Sequence, residues 1–281
     1  MKHWKPAVIA ALWSGALYAA PMPVVASFSI LGDVAQQIGG ERVAVQSLVG
    51  ANQDAHAYNL TSSDIKKIRE ARLVLLNGLG LEKAELQRAV KQSKVASAEA
   101  TAGIKPLAAD EHHHEHGHDH DHDHGEFDPH VWNDPVLMQR YAANVAIALT
   151  KADPAGSRYY QQRFKDYQNV LNQLNNYANQ QFGAVAPAKR KVLTGHDSFA
   201  YLGKRYQVKF ISPQGVSSEA EPSARQIAAI IRQIKAENVK AVFTENIKDG
   251  RMIARIAKET GVKVSGGLYA DALSSGAPAG T

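Results

Sequence analysis

The feature of this sequence that most constrains its fold is an alternation of short apolar runs with amphipathic helical patterns, which occurs in both halves of the chain. In the first half it predicts strands over 23–28, 42–49 and 73–77, and helices over 33–38, 63–71 and 81–91. In the second half it predicts strands over 191–194, 208–211, 239–244 and 262–265, and helices over 199–206, 223–237 and 250–260. Such alternation builds parallel sheets covered by helices, so we expect an α/β protein.

A long helical pattern separates the two halves. Asp153 followed by Pro154 is typical of a helix start. At ~1.5 Å per residue, a helix that begins there and ends near Phe182 spans roughly 40 Å, about the width of a domain. Coiled-coil dimerisation is the alternative, but one helix between α/β units favours packing within a single chain and a monomer. The apolar stripe of this helix is Tyr160, Phe164, Tyr167, Leu171, Leu174, Ala178 and Phe182.

The predicted architecture is therefore α/β, with two lobes that each contain a parallel-rich sheet flanked by helices and that are joined by one long rigid helix. We place the N-terminal lobe over 20–153, the connecting helix over 154–184 and the C-terminal lobe over 185–281.

The first residues have the pattern of an export signal. Lys2 and Lys5 precede an apolar run that ends in small residues, and cleavage after Ala19 is expected. This run is too short to span a bilayer. The chain contains no cysteine, which excludes disulfides, thiolate metal ligands and a lipid anchor on cysteine. We expect a soluble protein exported to the periplasm after removal of residues 1–19.

Histidine is distributed unevenly. Eight of the twelve histidines lie between His112 and His124, in a run over 110–126 that also holds seven carboxylates and no Lys or Arg. We expect a His-rich loop over 101–127 whose flexible backbone offers several weak metal sites. Because an unperturbed imidazole has a pKa of ~6.5, these sites should weaken in acid. The rest of the chain is basic, but it has no nucleic-acid-binding motif, so we expect no nucleic-acid partner.

Three histidines remain outside the run and the signal segment: His56, His130 and His196. Each lies at a predicted strand end or helix start, and Asp271 follows the last predicted strand. Ligands of parallel α/β sheets bind beyond the carboxyl ends of the strands, so two residues of each lobe should face each other across a cleft. Three imidazoles and a carboxylate suit a zinc ion. Glu245 is a weaker candidate for direct ligation.

The strings DAHAYNLTSSD, FDPHVWNDP, TGHDSFAYLGKRY, FTENI and GLYADALS resemble, in order and spacing, the substrate-binding proteins that deliver zinc or manganese to bacterial ABC importers. The resemblance implies two α/β lobes with a rigid connecting helix, and a cognate permease in the inner membrane. It makes His56, His130 and His196 ligands, with Asp271 as the fourth ligand of many members. Manganese members carry a carboxylate at the position of His196, and zinc members typically have a His-rich insertion, so both features favour zinc.

The chain departs from that family in two places. Ala55 stands where a proline usually precedes the first ligand, and family members usually continue past GAPAGT with a further helix.

We therefore expect high-affinity capture of Zn²⁺ in the periplasm and its delivery to an ABC importer. The alternatives are an exported zinc hydrolase, a manganese-binding transport protein, and a metal buffer or adhesin. The sequence contains no HExxH, GxSxG, Walker or GxGxxG motif, so we expect no enzyme activity.

Overall fold

The structure is a computed structural model that describes residues 20–109, 127–276 and 280. The expected signal peptide and most of the expected His-rich loop lie outside these residues. None of the helices within the described ranges has the length and apolar character needed to cross a membrane.

The first lobe is built on a parallel four-stranded sheet in the order β2-β1-β3-β4. Its strands are β1 Met22–Phe28, β2 Val43–Val49, β3 Leu73–Leu76 and β4 Ala96–Glu99. Its helices are α1 Ser29–Gly39, α2 Ser62–Glu70 and α3 Ala84–Ser93. Consecutive residues of β1 enter different cores: Val24 and Ala26 belong to one cluster, and Val25 belongs to another on the opposite face. Because both faces are covered, the central strands are continuous apolar runs.

The second lobe repeats this topology. Its parallel sheet has the order β6-β5-β7-β8, which is the order of the first sheet shifted by four strands. The strands are β5 Lys191–Leu193, β6 Lys209–Ile211, β7 Ala241–Glu245 and β8 Gly266–Leu268. The helices are α6 Ala200–Tyr206, α7 Ala224–Glu237 and α8 Arg251–Thr260. A core of isoleucine, leucine and valine joins α7 and α8 to the sheet.

Two helices occupy the middle of the chain: α4 Pro135–Ala152 and α5 Ser157–Gly183. Asp134 caps α4 through its side chain, as an Asp-Pro start predicts. Asp153 does not cap α5, because a short 3₁₀ turn over Pro154–Gly156 lies between this residue and the helix. Its carboxylate instead accepts hydrogen bonds from Arg42 at 2.7 and 2.9 Å and from the Tyr160 hydroxyl at 2.6 Å.

Helix α5 runs from one lobe to the other. Tyr160 and Leu171 are buried in the first-lobe core. Further along, Phe182 stacks on Tyr206 of α6 at 5.1 Å between ring centroids. Leu174, expected in the apolar stripe, is 50% exposed, because the second half of the helix is packed less closely than the first. The predicted class of two parallel sheets flanked by helices is confirmed.

Besides shifts of up to four residues at the ends of other elements, three features differ from expectation. Strand β4 was not predicted from the sequence. It lies at the edge of the sheet, where an apolar run is not required, and its sequence ASAE contains none. The last strand is Gly266–Leu268 and not 262–265, because Val262 packs into the second-lobe core before the strand begins. Residues 101–109 are not a free loop: Thr101 and Ile104 are buried.

Candidate metal centre

The four residues singled out from the sequence come together between the lobes. His56 follows β2 and His130 immediately precedes the turn into α4, whereas His196 follows β5 and Asp271 follows β8. One donor atom from each lies within 4.8 Å of the donors of the other three. His56 is 7% exposed, and the other three are completely buried. Each lobe thus contributes two donors to one enclosed point.

Four of the separations between donor atoms are close to those around a small four-coordinate ion. His56 Nε2 lies 3.1 Å from His130 Nε2 and 3.3 Å from Asp271 Oδ2. His196 Nε2 lies 2.9 Å from Asp271 Oδ2, and His130 Nε2 lies 3.5 Å from Asp271 Oδ1. A tetrahedral zinc ion with ligands at ~2.0–2.1 Å separates its donors by about 3.3 Å. The four distances bracket that value.

Several donor atoms have no hydrogen-bond partner. Both carboxylate oxygens of Asp271 and Nε2 of His196 are buried, and within the described residues their geometry forms no hydrogen bond, although His196 Nε2 and Asp271 Oδ2 lie only 2.9 Å apart. An unsatisfied buried polar atom is costly, and a buried carboxylate is especially so. A cation among these atoms would satisfy all three.

His130 is oriented by the residue two positions before it. Asp128 Oδ1 accepts a hydrogen bond from the backbone N–H of His130 at 2.9 Å and lies 2.7 Å from its ring Nδ1. A proton held on Nδ1 leaves the lone pair of Nε2 free to face the centre. The sequence D-P-H contained this signal, but we did not identify Asp128 from it.

His196 is oriented in the same way by Glu245, at the end of β7. Oε2 of Glu245 lies 2.6 Å from His196 Nδ1, while Oε1 accepts from the backbone N–H groups of Gly195 at 2.8 Å and His196 at 3.2 Å. A Cβ at Gly195 would lie 3.1 Å from this carboxylate, so a larger residue there requires the carboxylate to shift by a few tenths of an ångström. Glu245 therefore holds the ring of His196, whereas we had considered it for direct ligation.

Burial and the nearby carboxylates shift the pKa values of the three histidines. Burial lowers the pKa of His130, but Asp271 and Asp128 outweigh this effect and raise it to about 9. Burial opposes the shift at His196 too, yet Asp271 and Glu245 raise the pKa of this imidazole well above its usual value. The pKa of His56 is lowered by burial, which Asp271 only partly offsets. The carboxylates thus make the cluster favourable for positive charge, from a proton or a metal ion.

The motif DPHVWNDP also joins the lobes. Trp132 Nε1 donates to the carbonyl of Ala270 at 2.7 Å, directly beside Asp271. Asn133 Nδ2 donates to the carbonyl of Ser198 at 2.9 Å. Asp134 caps α4 and also pairs with Arg205 of α6 at 2.5 Å. One short segment therefore carries a histidine of the cluster and fixes its position against the opposite lobe.

Comparison with known proteins extends over nearly the whole chain. A family model described as zinc-uptake complex component A, periplasmic, matches residues 24–281. The manganese-binding lipoprotein MntA of Bacillus subtilis (strain 168) is 32% identical over 261 residues, which cover 90% of this chain and 81% of the relative. The iron-binding protein YfeA of Yersinia pestis is 30% identical over 251 residues, which cover 89% and 78%.

A solved structure has the same fold. The periplasmic zinc-binding protein TroA from Treponema pallidum superposes with a TM-score of 0.82 at 25% identity, covering 92% of this chain and 91% of that one. These three similar proteins are named for three different metals: manganese, iron and zinc.

Proposed function

The chain belongs to the zinc-uptake complex component A family, a group of metal-binding substrate-binding proteins of ABC importers, and we propose that its cargo is Zn²⁺. The observation that carries this proposal is the convergence of His56, His130, His196 and Asp271, two from each lobe, on one buried point. The protein would capture the ion between its lobes and present it to a cognate membrane permease.

The donor set favours zinc over manganese. Three imidazoles, which become neutral when the ion displaces their protons, and one carboxylate suit a borderline-soft ion that takes four ligands, whereas manganese prefers oxygen donors and higher coordination. His196 is the deciding position, because a carboxylate there would change the set to two nitrogens and two oxygens. Relatives named for manganese and iron make the choice of metal the central point to test.

Asp271 also favours transport over catalysis. A catalytic zinc keeps an open position for water or substrate, while a site with four protein donors is closed. The complete burial of Asp271 between its histidine neighbours supports a closed site, in which no bond is made or broken.

The His-rich run would collect zinc for this site through weak, acid-sensitive contacts. Its described flanks support this role: Ala108 and Phe127 pair in an antiparallel bridge, and Phe127 is three residues before His130. The two described ends of the run are therefore paired with each other, three residues before His130 in the sequence.

We further propose that the protein works as a monomer in the periplasm without a lipid anchor. The anchor of a bacterial lipoprotein is carried by a cysteine, and this sequence has none, whereas several relatives are named as lipoproteins.

Competitive titration with a chelator tests the choice of metal. The protein lacking residues 1–19 should bind one Zn²⁺ tightly and Mn²⁺ at least 100-fold more weakly, and deletion of 110–126 should leave the tight site intact. His196→Asp is the matched variant, and it should reduce the ratio of Zn²⁺ affinity to Mn²⁺ affinity. Equal affinity for the two ions, or loss of the tight site with the deletion, would contradict the proposal.

A further inference from the structure

Two similar turns carry the first-lobe histidines, but their aspartates make different contacts. In both Asp54-Ala55-His56 and Asp128-Pro129-His130, the aspartate Oδ1 accepts from the backbone N–H of the histidine at 2.9 Å. Asp128 uses that same oxygen to hold the histidine ring. Asp54 instead uses Oδ2 to accept from the Ser218 hydroxyl of the second lobe at 2.5 Å. One carboxylate therefore connects the backbone of His56 to the opposite lobe.

Ser218 is held firmly from its own side of the cleft. It lies between β6 and α7 and is completely buried. Its carbonyl accepts from Gln214 Nε2 at 3.1 Å and from Lys248 Nζ. The next residue, Glu219, pairs with Lys83 of the first lobe at 2.8 Å. The hydroxyl is thus presented to Asp54 by a loop that is fixed on both sides.

His56 is the most exposed histidine of the cluster. It is the only one of the four clustered residues with measurable exposure, and it lies within the loop that follows β2, whereas His130 is separated from the capped helix α4 by a single 3₁₀ turn. The same loop touches the second lobe at Asn52, whose backbone N–H donates to Leu273 at 2.8 Å and whose side chain accepts from Asn246 at 3.0 Å. Because this loop lies outside both sheets, its displacement would move one donor of the cluster while the sheets stay intact.

We propose that the hydrogen bond between Asp54 and Ser218 is a latch across the cleft, which sets how fast the metal enters and leaves. Asp54 and Ser218 are positioning residues and not ligands. The proposal rests on the proposed function, because it takes the cargo to be a divalent metal. Metal capture and release both require the loop of His56 to move, so loss of the latch should accelerate both while the donor set stays the same.

Ser218→Ala tests this directly in the protein lacking residues 1–19. In that chain Trp132 is the only tryptophan, and its ring lies 5.1 Å from that of His130, so its fluorescence can report on the cluster. Stopped-flow mixing with Zn²⁺ gives the capture rate, and mixing the loaded protein with excess chelator gives the release rate. Since the lost bond is to a carboxylate, we expect both rates to rise about tenfold and the Kd to change less than threefold.

Two variants provide controls. Ser217→Ala removes a neighbouring hydroxyl whose hydrogen bond within the described part of the chain is the one it accepts from the backbone N–H of Glu219, and the rates of this variant should match the wild type. Ser218→Thr keeps the hydroxyl and should restore slow exchange. Unchanged release in Ser218→Ala, equal acceleration in Ser217→Ala, or faster release with unchanged capture would each overturn the latch. Failure of the wild type to bind Zn²⁺ would contradict the proposed cargo and not the latch. The rates of the wild type and of Ser218→Ala would then be compared with Mn²⁺ to test the latch.

Discussion

Replacement of Glu245 by glutamine probes how the cluster holds His196. The carboxylate accepts three hydrogen bonds, one from the ring Nδ1 and two from backbone N–H groups. A glutamine amide has one acceptor oxygen and one donor NH₂, so either the ring or the backbone must face a donor. If the NH₂ faces the ring, Nδ1 becomes an acceptor and the proton moves to Nε2, where it blocks the metal.

The expected loss of metal affinity is substantial. Loss of a carboxylate that orients a ligand histidine typically lowers metal affinity 10- to 100-fold, which is about 1.4–2.8 kcal/mol. Chelator competition with Zn²⁺ measures this loss, and Glu221→Gln, at an exposed position, is the matched control. Zinc affinity within threefold of the wild type in a folded Glu245→Gln protein would refute the orienting role.

The remaining predictions concern packing and pH. Gly195→Ala should weaken Zn²⁺ about tenfold by displacing the Glu245 carboxylate, as chelator competition can measure. Leu171→Ala should cost about 2–4 kcal/mol in urea unfolding, whereas the half-exposed Leu174→Ala should cost under about 1 kcal/mol. Burial raises the pKa of Asp64, but hydrogen bonds from Thr61, Tyr58 and Lys67 outweigh burial and bring it to about 2, below its ordinary 3.8. Its stabilisation is therefore present above pH ~4 and lost as the pH falls toward 2, and Asp64→Asn should abolish that part of the pH dependence.

The sequence was sufficient to predict the α/β class because both signals are local. Apolar runs such as VVASF mark central strands, and capped amphipathic patterns mark helices. Strand β4 and the true position of β8 were missed, since ASAE and GGL owe their pairing to neighbouring strands and not to their own side chains. Long-range pairing of that kind has no local signature.

The sequence predicted the four residues of the candidate site, but it did not predict the residues that orient them. His56, His130 and His196 were conspicuous because histidine is rare outside the run, and the structure brings all three together with Asp271. The partner of His196 was not recognised, since Glu245 lies 49 residues away and reaches the ring only through the β5–β7 pairing.

The contacts between the lobes indicate which part of the protein moves when metal is exchanged. Trp132 and Asn133 bind carbonyls of the opposite lobe, and Tyr201 of α6 donates to the carbonyl of Asp128 at 2.7 Å. A wide hinge opening would break all of these bonds together, whereas movement of the loop that carries His56 would break only the contacts of that loop. The cost of opening therefore favours a local gate over closure of whole lobes. Small-angle scattering with and without Zn²⁺ should show a nearly constant radius of gyration, and a decrease of several per cent on loading would favour a hinge instead.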